Sequence, residues 1–169
     1  MTIRITLTDE QVANVKAVAL EVHNRRKHAG LGAMNRQYDE PLRLQLITRA
    51  FMAEFATALY LNRNWNCEYG GPKGCDVEPN IEVRSCEHGR RLYIKDREIK
   101  PGPYQKPPKT NYVLAWFCDH LRDVDLVGFN ALDAAIATST PHQEHGKTFG
   151  WMVPAEKLRP IEELYAALN

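Results

Sequence analysis

The stretch Asp76-Val-Glu-Pro-Asn-Ile81-Glu-Val-Arg84-Ser-Cys-Glu87-His-Gly-Arg-Arg91-Leu-Tyr-Ile94 carries an alternating segment, a turn and a second short apolar segment. Ile81, Val83 and Ser85 alternate with Glu82, Arg84 and Cys86, the period-two pattern of a strand with two unlike faces. Glu87-His-Gly89 supplies a turn and Arg91-Leu-Tyr-Ile94 a return strand, so the pattern predicts a β-hairpin. Alternation sends the Glu82 and Arg84 side chains to one face and Val83 to the other. Asp76 stands just ahead of this strand.

Upstream, Ile3, Ile5 and Leu7 alternate with Arg4 and Thr6 as an edge strand would. Thr8 and Gln11 fit a capping box for a helix whose apolar face is Val12, Val15, Val18, Ala19 and Val22. Residues 30–38 read as a loop. After Asp39-Glu-Pro41 a longer helix begins, with Leu42, Leu44, Leu46, Ile47, Ala50, Phe51, Phe55, Ala58, Leu59 and Leu61 forming a broad apolar face that should be substantially buried. Asn62 to Gly74 is turn-rich. Downstream, Lys100-Pro-Gly-Pro-Tyr-Gln-Lys-Pro-Pro108 cannot sustain a ladder, because proline has no N–H to donate, and is expected to be a loop or flap. Strands are expected at Tyr112–Phe117, Val124–Phe129 and Phe149–Val153, a short helix at Leu132–Ala137 and a terminal helix at Pro160–Leu168. No repeat or dividing linker interrupts the chain, so one domain over 1–169 is expected. Its class is α+β (mixed α/β), a central mixed sheet flanked by helices.

The 169 residues, 44% hydrophobic and 25% charged, have ordinary globular composition. The first residues do not resemble a secretory signal, and no apolar run approaches the roughly 20 residues needed to span a bilayer. Four scattered cysteines do not form the dense framework of a secreted scaffold, so a reducing, cytoplasmic setting without a membrane is expected. The net charge of +1 excludes a strongly basic domain, yet Arg84, Arg90, Arg91, Lys95, Arg97, Lys100, Lys106 and Lys109 face only Glu87, Asp96 and Glu98 in the middle of the chain. That stretch is either a solvated rim or a surface that neutralises phosphates, with Arg90, Arg91 and Lys95 as the candidates.

A carboxylate and a cation on one strand face beside a second carboxylate is the grouping a magnesium-dependent phosphodiesterase needs. Magnesium prefers oxygen ligands, and the ion acidifies a water while a cation offsets charge developing on phosphorus. Asp76 followed by Glu82-x-Arg84 on a strand, with further strands behind it, resembles the PD-(D/E)XK nuclease superfamily. The resemblance spans roughly 42–129, and the segments Val124–Phe129 and Gly150–Pro154 are similar to small phage or mobile-element members. The strand and helix ahead of this span and the helical segment behind it are then extensions. It implies a restriction-endonuclease-like core, Asp76 and Glu82 as ligands of Mg2+ or Mn2+, Arg84 in the place of the usual lysine, and Glu54 as the helix-borne glutamate. It further implies a metal-dependent endonuclease acting on DNA, and leaves a homodimer open. Arg84 stays protonated at physiological pH and cannot act as a base, and Cys75 stands where the family often has proline. The alternative is therefore an inactive nuclease-like module that binds nucleic acid or protein.

Plainer readings exist for the same residues. Asp76, Glu82 and Arg84 could be surface ion-pair residues, and Glu54 could pair with Arg49 or Arg63 on the helix surface. Cys67, Cys75, Cys86, His88 and the Cys118-x-His120 segment lack the paired spacing of a zinc site, and Cys86 and Cys118 read as small buried residues on strands. His142 and His145 fall in an expected polar loop. Trp116 and Trp151 read as core aromatics, whereas Trp65, among asparagines, is placed to stack on a base.

Overall fold

The computed structural model describes residues 2–28, 39–67, 74–117 and 122–169. Strand β1 (Ile3–Thr6) leads into helix α1 (Asp9–His28). Thr8 Oγ1 accepts the Gln11 N–H at 3.2 Å while Gln11 Oε1 accepts the Thr8 N–H at 2.9 Å, closing the capping box. Helix α2 (Glu40–Leu61) starts at Asp39, whose carboxylate accepts the Leu42 N–H, and stops at Asn62 in the left-handed conformation. Only its second half is deeply buried, through Phe51, Met52, Ala53, Ala56, Ala58 and Leu61; Leu42 and Leu46 face outward.

Two sheets follow. In the first, the order is β1-β5-β4-β2, with β2 (Ile81–Glu87) parallel to β4 (Asn111–Phe117), and β5 (Asp123–Ala131) antiparallel to both β4 and β1. The second sheet has the order β3-β7-β6, all antiparallel: β3 (Leu92–Lys95), β7 (Lys147–Val153) and β6 (Thr140–Glu144). Helices α3 (Asp96–Ile99), α4 (Leu132–Ala137) and α5 (Ile161–Leu168) complete the fold. The chain is thus mixed α+β.

The expected hairpin does not form. β2 pairs with β4, and β3 crosses to the second sheet to pair with β7, Leu92 opposite Val153 and Ile94 opposite Trp151. Leu92 and Ile94 are fully buried, a burial that pairing on the edge of β2 could not have supplied. The first sheet is mixed; α1, α2 and α5 pack on one face, and the second sheet together with α4 packs on the other. His142 lies on β6, and only His145 occupies the turn that follows.

Strand β4 joins the two cores. Val113 and Ala115 point into a cluster with Val83 and with α1, α2 and α5, while Tyr112 and Leu114 point into a second cluster with Leu92, Ile94, Val153, Leu132 and Ala135. Glu82 is in register with Tyr112 and Arg84 with Leu114, so both charged residues belong to the side facing β3 and α3. β2 is an edge strand, and charge can therefore gather beside it without crossing either apolar core.

A candidate acidic site around Arg84

Residues 76–81 fold back on themselves. The Asp76 and Val77 N–H groups donate to the Ile81 carbonyl at 3.0 and 3.1 Å, and Ile81 N–H donates to Val77 at 3.0 Å. Asn80 closes the turn at φ 55°, a conformation asparagine accepts at small cost. This return places the Asp76 carboxylate beside β2, where its Oδ2 accepts the Val83 N–H at 2.8 Å. On the outer side, Trp65 bridges to Val77 and Asn66 N–H donates to the Asp76 carbonyl at 3.0 Å. Trp65 Nε1 then donates to Glu54 Oε2 at 3.2 Å, and its ring packs edge-on against Phe51 and Phe55. Trp65 is half-buried and holds a carboxylate in place; it is not a free stacking platform.

Four acidic side chains converge on Arg84. Its Nη2 donates to Glu98 Oε1 at 2.7 Å and its Nη1 to Glu82 Oε2 at 3.3 Å, with Asp76 Oδ2 3.7 Å away. Glu54 lies close enough for its charge to interact with Asp76, Arg84 and Glu82. The surface ion pair for Glu54 is thereby overturned: Glu54 is buried, Arg63 donates to the Leu168 carbonyl, and Arg49 Nε has no partner. The same holds for a surface role of Glu82, which is 5% exposed.

Three contributors were not singled out from sequence. Glu98 is presented by α3, and its Oε2 accepts from Lys95 N–H at 3.3 Å and from Tyr112 Oη at 3.2 Å. Tyr112 also lies under the Arg84 guanidinium, 5.2 Å from Cζ to the ring centroid. Lys106, carried by the proline-rich loop, places Nζ 2.6 Å from Glu82 Oε1 and 2.5 Å from the Gly74 carbonyl. In the sequence Glu98 and Lys106 sit inside a basic stretch with the look of a solvated rim, and Tyr112 reads as one more apolar strand residue. Lys95 lies at the margin of the cluster, whereas Arg90 and Arg91 follow β2 and point elsewhere.

Electrostatics follow from the crowding. Burial, reinforced by Asp76, raises the Glu54 carboxyl well above the usual range against the Trp65 hydrogen bond. Burial and Glu82 push Asp76 up to about 6, despite Arg84 and the Val83 N–H. At Glu98 the cost of burial is outweighed by Arg84, and its carboxyl is lowered. Burial likewise opposes the charge on Arg84, but Glu98, Glu82 and Asp76 outweigh it and hold the guanidinium protonated more firmly than usual. Partial desolvation, with Arg84 nearby, lowers Lys95.

The donor set of Asp76, Glu82 and Glu54 consists of hard oxygens, which suits magnesium, an ion commonly held by one or two carboxylates with waters and phosphate completing its shell. Burial first, and neighbouring carboxylates second, raise Glu54 and Asp76 in spite of the nearby Arg84. Among the described residues no three His, Cys, Asp or Glu side chains are already gathered at ion-holding spacing, and both Glu82 oxygens are engaged by Lys106 and Arg84. Cys67, Cys75 and Cys86 are free thiols; Cys118 and His120 lie outside the described residues. No described helix is long and apolar enough to cross a membrane.

The chain matches no family model, no curated protein and no solved structure.

Proposed function

We propose that the cluster around Arg84 is a site for metal-dependent hydrolysis of phosphodiester bonds in DNA, on a restriction-endonuclease-like scaffold. The observation that supports this is the surplus of carboxylates: Glu54, Asp76, Glu82 and Glu98 share Arg84 and Lys106 as close cations. An acid whose pKa is raised by burial and by neighbouring acids has its charged form favoured by an added cation. Asp76 and Glu82 are the residues that would hold Mg2+ or Mn2+. Such an ion, when bound, supplies an acidified water and positive charge against the phosphate.

The chain's own groups divide the remaining work. Arg84, locked by Glu98 and stacked over Tyr112, keeps a fixed positive charge where a phosphate oxygen would approach Glu82. It cannot take a proton. Lys95, whose ammonium is disfavoured by burial and by Arg84, is the nearby amine suited to that task, while Lys106 reaches Glu82 from a loop as a second positive charge. Glu54, held by Trp65 and inclined to keep its proton, orients a water beside Asp76 by donating a hydrogen bond.

One observation favours the second reading, a nucleic-acid- or protein-binding module without turnover: each Glu82 oxygen already has a cationic partner. Incubating the protein with plasmid and single-stranded DNA in magnesium or manganese, beside Glu82→Gln, separates the two. The hydrolytic reading expects cleavage by the parent and loss in the variant. Equal cleavage by both removes the proposed chemistry, and no cleavage with no calorimetric heat of metal binding leaves the binding module.

A further inference from the structure

A second feature lies further along β2, outside the acidic cluster. Ser85, Cys86 and Glu87 of β2, Leu46 and Arg49 of α2, Phe117 at the end of β4, Met152 of β7, and Arg90 and Arg91 border a cavity of about 370 Å³. Glu87 is the one acidic residue in that lining, and its pairing with Arg90 at 3.6 Å is between two largely exposed side chains. Such a pair is worth little in water. Arg49 is half-buried, and its Nε is a buried donor without a hydrogen-bond partner. A buried guanidinium nitrogen left unsatisfied is costly unless an acceptor arrives from outside. Leu46, Phe117 and Met152 give the same cavity an apolar wall.

We propose that this cavity is a subsite for one nucleotide of a nucleic-acid strand, with the phosphate on Arg49, Arg90 and Arg91 and the base against Phe117 and Met152. Guanidinium forks match phosphate oxygens in geometry as well as charge, and an aromatic face accepts any base. The volume suits one phosphorylated ring system rather than a folded partner. Burial pushes the Cys86 thiol up to about 11, so it is a neutral part of the wall and no nucleophile. Cys86 is four residues beyond Glu82 on the same strand, roughly 13 Å along it, a distance that a bound strand covers within a few nucleotides. The subsite rests on the phosphodiesterase reading and specifies it: the strand runs along β2, and the arginines anchor it beside the point of cleavage.

The test is calorimetric titration of the chain in EDTA with deoxyadenosine monophosphate, deoxyadenosine and inorganic phosphate. The monophosphate is expected to bind more tightly than either fragment. Arg49→Gln and Arg91→Gln should each weaken it roughly tenfold, and Phe117→Ala should erase its advantage over phosphate, with circular dichroism unchanged. Arg91 is exposed, so that variant remains informative if Arg49→Gln does not fold. Failure to bind the monophosphate, binding no tighter than phosphate, or binding unaffected by Arg91→Gln overturns the subsite. No turnover is needed in EDTA. A protein that binds the monophosphate but never cleaves DNA loses only the hydrolytic reading, and one that cleaves but ignores these substitutions loses only the subsite.

Discussion

Arg84 is the pivot of the charged cluster, and its contacts set what substitutions there can reveal. Removing it leaves Glu98 buried without its close counter-ion and Glu82 with Lys106 alone, a change of the kind that costs about 3–5 kcal/mol. Arg84→Met should therefore lower the melting temperature sharply, and under the proposed hydrolytic function a loss of activity in that variant alone says little about chemistry. A double substitution with Glu98→Gln should recover part of the stability; chemical denaturation of both variants checks it. Asp76 gives the cleaner probe. Its folded pKa of about 6 lies above the ordinary 3.8, so its protonation supports the fold fully below the ordinary value, and that support is lost as pH rises through about 6. Glu54 acts in the same direction. Without divalent ions the melting temperature should fall between about pH 4 and about pH 6, and Asp76→Asn should flatten that slope. Added magnesium should stabilise more at the upper end, where it does not compete with protons. A slope unchanged by Asp76→Asn would show that Asp76 is not the group responsible.

Among the elements, the loop between α3 and β4 has the largest consequence for the site. Its prolines exclude a ladder, and the Lys106 N–H donates to the Glu98 carbonyl at 2.8 Å, which ties the loop to α3 and aims Nζ at Glu82. Lys106→Met should tighten magnesium binding several-fold in calorimetry, because an ammonium no longer competes for Glu82 Oε1. Unchanged or weaker binding would mean that Lys106 does not occupy the ion's position. Within the first sheet, the C-terminal half of β5 is held by a close backbone approach. A Cβ on Gly128 would meet the Arg159 carbonyl at 2.6 Å, where Phe129 and Arg159 exchange backbone hydrogen bonds. Gly128→Ala should cost about 1–3 kcal/mol, read as a lowered melting temperature.

At the scale of the whole molecule, β4 couples the two apolar clusters through opposite faces of one strand. Leu114→Ala should cost about 2–5 kcal/mol, and together with Val113→Ala it should shift a single unfolding transition. Two separated calorimetric peaks would contradict that coupling. Most elements were legible in the sequence, because caps and periodicity are local. Thr8 with Gln11, Asp39 with Pro41, and the Leu132–Ala137 segment all lie where their patterns put them. The pairing partner of β3 was not legible, since Glu87-His-Gly89 is as good a hairpin turn as it is a link between sheets. In the candidate site, Asp76, Glu82, Arg84 and Glu54 carried signals in strand alternation and in the resemblance. Glu98, Lys106 and Tyr112 carried none, as their roles depend on which face of a neighbouring element they meet.

The residue order alone therefore determined where most helices and strands lie, α3 and β6 excepted, and that Glu82 and Arg84 share a face, because both follow from interactions within a few positions. Which strand lies beside β2, whether Glu54 is solvated or buried, and how many cations balance the carboxylates were decided only on folding. Those properties depend on burial and on distances between segments far apart in the chain, and a carboxylate's preference for a proton changes with both.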